Sequence, residues 1–376
     1  MENLIKLLDY GQSYWLDNLT REKINDGEIK RRVTEQGLRG ITSNPSIFNK
    51  AFTNGDDYDK QIEELAKAGK NTQEIYEALT IKDVQDACDI LKPVFDQSQG
   101  TDGFVSLEVS PYLARDTHGS MNEARRLYKS VNRVNCYIKI PGTKEGVPAI
   151  EQMLYEGINI NITLLFSIEN YEAVAQAYLR AIKRRSEEGK SLINTVSVAS
   201  FFLSRIDVLC DQILSQYILP SDSPNADPRP GLLLGKAGIA SARLAYQRFK
   251  EIFYSKEWKA LKEKGAHVQR VLWASTSTKN PNYSDVLYVN SLIGSDTVNT
   301  LTEETIEAFA DHGILKKDAI EDNLDDAKTV FGKLKEIGID INFVTQQLEN
   351  EGIQKFIDSY NMLMKGLEEK RLKALK

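Results

Sequence analysis

The chain has 376 residues, more than the ~100 to 200 residues of a usual domain but compatible with one α/β barrel carrying additions. Its composition, 41% hydrophobic and 27% charged with only 10 prolines, excludes collagen-like and disordered proteins. The net charge of -6 excludes a general positive field that would hold nucleic acid or an anionic membrane.

Short apolar segments rich in β-branched residues alternate along the chain with segments of helical periodicity. The predicted strands are, in chain order, residues 14–17, 40–44, 103–109, 135–141, 158–164, 194–200, 270–274 and 297–301. Helical patterns lie between them, for example at residues 28–36, 121–129 and 171–184. Strand–helix alternation favours a parallel sheet, and eight such units favour a closed (β/α)8 TIM barrel. A doubly wound open sheet is the alternative, although no GxGxxG or P-loop motif follows a predicted strand.

Three of the predicted strands have one apolar and one polar face. The polar sets are Ser106 and Glu108, Tyr137 and Lys139, and Asn159, Asn161 and Thr163. Helices cover the outside of strands that they connect, so the polar faces must point inward. The polar side chains are therefore expected to converge at the carboxyl-terminal mouth of the barrel, where barrel enzymes have their active sites.

The last part of the chain is charge-rich and has an amphipathic helical pattern beyond residue 350. We expect one domain over residues 1–376, with residues 313–376 as a helical C-terminal extension packed on the outside of the barrel. Four prolines within residues 217–235, at positions 220, 224, 228 and 230, predict an irregular surface excursion between barrel elements.

Cysteine and histidine number three each, with no CxxC pair, which is poor material for a zinc site. The amphipathic N-terminus is unlike a secretory signal, and no segment reaches the ~18 uninterrupted apolar residues of a membrane span. We expect a soluble cytoplasmic protein, or an organellar one already processed. Either a monomer or a homodimer is expected, without nucleic-acid or membrane partners.

Lys139 lies at the inner end of a predicted parallel strand, in the segment CYIKIPG. An unpaired buried ammonium is costly, which favours the neutral amine. A neutral amine in an apolar site attacks carbonyl groups and forms Schiff bases. A structural ion pair between Lys139 and Asp17 or Glu108 is the alternative.

Asp17 and Glu108 are expected at the same mouth, where they could divide the proton transfers of a Schiff-base reaction. Such a pair is also found in glycosidases on barrels, and either carboxylate could instead cap a helix or a turn. Asn44, Asn161 and Thr163 are suited to sugar hydroxyls, although Asn44 could be a turn residue before Pro45.

Phosphate recognition requires cationic groups and hydroxyl donors. Ser200, Arg205 and Lys279 each follow or end a predicted strand and are the candidates. Singly, each is more often a solvated surface residue.

Seven segments together resemble transaldolases, most closely the longer bacterial and plastid-type subfamily. They are WLDNL at 15–19, GITSNPSIF at 40–48, VSLEVSP at 105–111, YIKIPGT at 137–143, NITLLFS at 161–167, SVASFFLSRID at 197–207 and LWASTSTKNP at 272–281. The similarity runs in order from about Tyr14 to His312. It departs from other subfamilies at Lys279, where they carry an arginine; a lysine keeps the charge but loses the bidentate fork.

The resemblance implies a (β/α)8 barrel and a Schiff-base mechanism that uses no cofactor or metal. Lys139 would form an imine with a ketose phosphate, such as fructose 6-phosphate or sedoheptulose 7-phosphate. An aldose phosphate, such as erythrose 4-phosphate or glyceraldehyde 3-phosphate, would accept the three-carbon dihydroxyacetone unit. Asp17 would move the C4 hydroxyl proton, and Glu108, with Thr163 and a water, would relay the others. The implied substrate-binding residues are Thr42, Asn44, Asn161, Ser200, Arg205 and Lys279.

Three other functions remain open on the sequence. A simple aldolase of the same fold would release free dihydroxyacetone. A hydrolase using Asp17 and Glu108 would not need Lys139. A barrel retained as a binding protein would need none of them, although every reactive position of the family pattern is filled.

Overall fold

Eight parallel strands form a closed barrel in sequence order, as predicted, with helices between them. The computed structural model describes residues 2–53, 55–218 and 227–376. The strands are β1 (Gln12–Leu16), β2 (Gly40–Ile41), β3 (Phe104–Glu108), β4 (Cys136–Pro141), β5 (Ile160–Leu165), β6 (Ser197–Phe202), β7 (Arg270–Ala274) and β8 (Thr297–Leu301). The barrel closes where β1 pairs with β8, so the sheet has no free edge.

Sixteen α-helices are present in the described residues. They are α1 (Glu2–Lys6), α2 (Arg21–Asn25), α3 (Glu28–Glu35), α4 (Pro45–Thr53), α5 (Asp59–Lys67), α6 (Thr72–Gln97), α7 (Thr117–Val131), α8 (Gly146–Glu156), α9 (Ile168–Glu187), α10 (Ser204–Ser215), α11 (Ala237–Phe253), α12 (Lys256–Lys262), α13 (Leu287–Ser291), α14 (Glu303–His312), α15 (Leu324–Glu336) and α16 (Ile341–Ala374). Short 3-10 helices lie at Leu8–Tyr10, Pro111–Leu113, Gly231–Leu233 and Ala319–Glu321. No helix in this part of the chain is long and apolar enough to cross a bilayer.

The second strand is shorter than its predicted range of 40–44, because pairing ends at Ile41. The chain leaves the sheet there to start α4 at Pro45, and the Asn44 side chain accepts a hydrogen bond from the Ile47 amide at 3.1 Å. The sixth strand lies later than its predicted range of 194–200. In the predicted excursion at 217–235, Pro220 and Pro224 lie outside the described residues.

Aromatic side chains fill the lower half of the barrel, below the carboxyl-terminal mouth. The Tyr137 ring centroid lies 4.1 Å from that of Phe104 and 6.1 Å from that of Trp15. A Cβ atom at Gly40 would overlap the Trp15 ring, so this strand position accepts only glycine. The aromatic layer forms a floor under the polar residues of the mouth.

Charged residues complete this floor at the amino ends of the strands. Asp102 accepts hydrogen bonds from Ser13 and from Trp15 Nε1, and pairs with Arg270 at 3.1 Å. Arg270 also donates to the Thr297 carbonyl at 2.6 Å. Each of these charges therefore has a partner, and the network is satisfied.

We expected the last helix, α16, to pack on the outside of the barrel, but part of it also lies at the mouth. It packs on α4, α5, α6, α10 and β5 and reaches the carboxyl-terminal mouth. Buried residues such as Leu348, Leu363 and Leu367 form its apolar face. The periodicity in the sequence predicts this face but not the surface that receives it, since packing partners are set by the tertiary fold.

Helix α10 is held in place by a buried carboxyl group. Asp207 accepts hydrogen bonds from the Gly238 amide at 2.7 Å and from the Tyr288 hydroxyl at 2.6 Å. Burial raises the pKa of Asp207 from 3.8 to about 6, against these two hydrogen bonds, which lower it. The carboxyl group thus ties the first turns of α10 and α11 together.

Asp207 should make the stability of the protein depend on pH. Because its folded pKa of about 6 exceeds its unfolded value of 3.8, the folded state holds the proton more tightly. Stability should fall as pH rises from about 4 to about 6, by about 3 kcal/mol in all. We expect Asp207→Asn to flatten this part of the profile, measured by thermal unfolding between pH 4 and 7. Asp325→Asn, which alters an exposed carboxylate, is the control, and a profile for Asp207→Asn parallel to that of the unmodified protein would contradict the elevated pKa.

Candidate active site

A cavity of about 880 Å³ opens at the carboxyl ends of the strands. Eight of the ten predicted site residues line it: Asp17, Thr42, Asn44, Lys139, Thr163, Ser200, Arg205 and Lys279. The other two, Glu108 and Asn161, lie behind this lining and contact residues within it. Lys139 and Thr163, from two of the predicted polar strand faces, thus lie at one cavity together with residues of the loops that follow the strands.

Lys139 lies on β4 with its side chain in the barrel, only 5% exposed. The register pairs it with Glu108 of β3 on one side and with Asn161 of β5 on the other. Its Nζ atom donates to the Ser43 carbonyl at 3.0 Å and to Glu108 Oε2 at 3.3 Å. The predicted alternative of an ion pair is thus present, although both groups belong to the site.

Glu108 is a buried carboxyl group next to the lysine. Burial raises its pKa, the Lys139 charge lowers it, and the nearby Asp17 raises it further. Its Oε1 atom and the Thr163 hydroxyl are both buried without a hydrogen-bond partner among the described residues. Buried polar atoms without partners are rare, so these two atoms indicate a place for a water or a substrate oxygen.

Asp17 follows the last residue of β1, and its backbone amide donates to the Leu301 carbonyl of β8 at 2.8 Å. The Thr42 hydroxyl donates to Asp17 Oδ1 at 2.8 Å and lies 2.7 Å from the Thr300 hydroxyl. Burial raises the pKa of Asp17, and the charge of Lys139 opposes this. Asp17 and Glu108 therefore face the same cation from different strands.

The two asparagines have different surroundings. Asn44 lines the cavity and also caps α4. The predicted turn position is therefore compatible with a side chain that faces the cavity. Asn161 is fully buried: its Nδ2 atom donates to Ser106 Oγ at 3.0 Å, and its Oδ1 atom accepts from Ser200 Oγ at 2.7 Å. Asn161 therefore orients Ser200 at the edge of the cavity.

Arg205 and Lys279 bring positive charge to one side of the cavity. Arg205 lies in the first turn of α10, and its guanidinium is 5.5 Å from the centre of the Phe202 ring. Its Nη1 atom is buried without a hydrogen-bond partner among the residues described, and burial lowers the pKa of the group. Lys279 is exposed, and its Nζ atom donates to Ser277 Oγ at 2.7 Å. An unsatisfied guanidinium at a cavity wall suits an anion.

Several lining residues were not predicted from the sequence. They include Thr300 of β8, Ser275 and Ser277 after β7, and Lys355, Asp358, Ser359 and Met362 of α16. Alternation within residues 297–301 would not have identified Thr300, because the polar residues Thr297 and Asn299 have the opposite parity. Its pairing with Trp15 of β1 shows that Thr300 faces inward. The α16 residues follow the spacing of one helix face, but nothing in the sequence links that face to the barrel.

The three cysteines are buried and free. Across residues 2–53, 55–218 and 227–376, no group of three or more His, Cys, Asp or Glu side chains is placed to hold a metal ion.

Comparison with known proteins agrees with this arrangement. A family model described as Transaldolase/Fructose-6-phosphate aldolase matches residues 14–367. Transaldolase 2 of Nostoc sp. (strain PCC 7120) is 48% identical over 98% of both chains. The transaldolase of Trichodesmium erythraeum is 47% identical over 98% of this chain and 97% of its own, and that of Mycolicibacterium paratuberculosis is 45% identical over 96% and 95%. The chain therefore belongs to the transaldolase/fructose-6-phosphate aldolase family and is an enzyme of the transaldolase type.

Proposed function

We propose that the enzyme transfers a dihydroxyacetone unit between sugar phosphates through a Schiff base on Lys139. The donor would be sedoheptulose 7-phosphate or fructose 6-phosphate, and the acceptor glyceraldehyde 3-phosphate or erythrose 4-phosphate. The observation that carries the proposal is a buried lysine in the mouth cavity, 3.3 Å from a buried glutamate. The family to which the chain belongs supports the same reaction.

The first step forms the covalent bond between enzyme and donor. The neutral Lys139 amine attacks the C2 carbonyl, and the carbinolamine then loses water to give a protonated imine. Glu108 would return a proton to the departing hydroxyl, a role supported by the burial that raises its pKa and so favours its acid form. The Thr163 hydroxyl, which is buried without a hydrogen-bond partner among the described residues, would hold the water that carries this proton.

The second step breaks the bond between C3 and C4. Asp17 accepts the proton of the C4 hydroxyl, the electrons of the C3–C4 bond move to the imine, and an aldose phosphate leaves. The remaining enamine then attacks the acceptor aldehyde, while Asp17 returns its proton to the new hydroxyl. Thr42 fixes Asp17 by donating to Oδ1, which leaves Oδ2 for the substrate.

The cavity wall suits the rest of a phosphorylated sugar. Thr42 and Asn44 line the cavity with Lys139 and would bind the hydroxyls of the three-carbon unit together with Asn161, which lies next to Lys139 on β5. Ser200, Arg205 and Lys279 would bind the distal phosphate through a hydroxyl and two cationic groups.

The family description includes fructose-6-phosphate aldolases, so release of free dihydroxyacetone is a second candidate reaction. In the aldolase reaction the enamine takes up a proton and water then hydrolyses the imine to free dihydroxyacetone, whereas in the transfer reaction the enamine attacks the aldehyde of an aldose phosphate. Coupled assays with and without erythrose 4-phosphate distinguish them. Strong turnover of fructose 6-phosphate without an acceptor would favour the aldolase.

Borohydride reduction in the presence of fructose 6-phosphate tests the proposed intermediate. Reduction converts the imine into a stable secondary amine, which peptide mass mapping can locate. We expect one three-carbon adduct, on Lys139. The proposal would be abandoned if the adduct were on another lysine or did not form.

Arg205→Ala should weaken the binding of phosphorylated donors. Losing a charge-assisted contact costs about 1.5 to 3 kcal/mol, so KM for fructose 6-phosphate should rise about 10- to 100-fold. The KM for unphosphorylated fructose should change little. Arg180→Ala, which removes an exposed arginine outside the cavity, is the control, and equal losses for both sugars would remove Arg205 from the phosphate site.

A further inference from the structure

One wall of the mouth cavity comes from α16 and not from a barrel loop. Lys355, Asp358, Ser359 and Met362 line it at the three- and four-residue spacing of a single helix face. Phe356 lies beside them and is partly buried. This face therefore adds an ammonium group, a carboxylate and a hydroxyl to the wall of the cavity.

The backbone of α16 lies directly against the predicted phosphate-binding arginine. A Cβ atom at Gly352 would lie 3.6 Å from Arg205 Nη1 and 3.1 Å from Leu164 Cδ2. Leu164 itself has a left-handed backbone with φ of 59°, an unusual conformation for leucine, at the end of β5. The glycine thus allows α16 to approach both Arg205 and the strand that carries Thr163.

Two charged residues of α16, Glu351 and Lys355, lie one helical turn apart on the part of the helix that approaches Arg205. Glu351 accepts a hydrogen bond from Gln347 at 2.8 Å and pairs with Lys355 at 3.5 Å. Its carboxylate is also the acidic group whose charge raises the pKa of Arg205. Glu351 therefore pairs with Lys355 and also acts on Arg205 through its charge, while Arg205 has no carboxylate within 4.0 Å in the described part of the chain.

We propose that Lys355 of α16 binds the distal phosphate of the substrate together with Arg205, and that Glu351 is the counter-ion that this phosphate replaces. The inference rests on the proposed function, since it assigns a specificity residue to the same cavity. A phosphate carries two negative charges where Glu351 carries one, so it satisfies both cations better. Without substrate, Glu351 reduces the repulsion between them.

The probe is inorganic phosphate, with its dissociation constant measured by phosphorus NMR titration of the full-length protein. Lys355→Met should raise this constant about two- to fivefold, the effect of losing one exposed charge that faces an anion. Glu351→Gln should lower it about two- to fivefold, because a competing anion is removed. Lys365→Met is the matched control, since Lys365 is an exposed lysine of the same helix outside the cavity.

The inference is overturned if Lys355→Met changes the constant by less than about twofold, or if Lys365→Met changes it equally. It is also overturned if Glu351→Gln weakens phosphate binding. All three residues are at least partly exposed, so the variants should fold, and circular dichroism checks this. Borohydride trapping on each variant distinguishes the failure of this inference from the failure of the proposed function. If an adduct forms on Lys139 but phosphate binding is unchanged in Lys355→Met, only the role of Lys355 is rejected. If no adduct forms, the proposed reaction is rejected.

Discussion

Replacing Lys139 by methionine should lower kcat by about 10⁴-fold or more, because methionine fills a similar volume but cannot form an imine. The three-carbon adduct should disappear from borohydride-treated samples at the same time. The measurement is turnover of fructose 6-phosphate with erythrose 4-phosphate, combined with peptide mass mapping. No other lysine lining the cavity lies at a strand end inside the barrel, so none should replace it.

The control for this variant concerns stability. Lys139→Met leaves Glu108 buried without its cation, and the pKa of Glu108 should rise so that the group stays neutral. The fold should therefore survive, and the double variant with Glu108→Gln should unfold at nearly the same temperature as the single one. Activity retained in folded Lys139→Met would instead support hydrolysis by the carboxylate pair.

Replacing Asp17 by asparagine should have the second largest effect, lowering kcat by about 10²- to 10⁴-fold. Asparagine keeps the size of the side chain and can accept the Thr42 hydrogen bond, but it cannot take a proton from the C4 hydroxyl. Imine formation should continue, because Lys139 and Glu108 remain. Bond cleavage should become the slow step.

The mass of the reduced adduct distinguishes this role from a structural one. The unmodified enzyme should retain a three-carbon unit, whereas Asp17→Asn should retain the intact six-carbon donor. Glu108→Gln is the matched comparison, since it should slow the formation of any adduct. A three-carbon adduct formed at the normal rate by Asp17→Asn would show that another group removes the C4 proton.

Most of the barrel could be predicted from the sequence, because apolar alternation and β-branched residues report directly on strands. The seventh and eighth strands have the predicted bounds, residues 270–274 and 297–301. The second strand differs because helix capping by Asn44 competes with pairing immediately after Ile41. Local polarity does not reveal which of these two interactions prevails.

The inner part of the site was also predictable, whereas its outer wall was not. Lys139 and Thr163 lie on strands whose parity can be counted, so their convergence follows from the closed barrel. Lys355 lies far later in the chain, on a helix whose position depends on tertiary packing. The close approach of the α16 backbone to Arg205 at Gly352 is a tertiary contact, which no local sequence pattern predicts.

Because α16 contributes to the cavity, the proposed binding of the distal part of the substrate is separated from the proposed bond making and breaking. Bond making and breaking would depend on strand residues anchored in the aromatic floor, where substitutions disturb the barrel. The face formed by Lys355, Asp358 and Ser359 contributes little to the core. Laboratory evolution for new acceptor aldehydes could therefore vary this single helix while the reactive amine and both acids stay untouched.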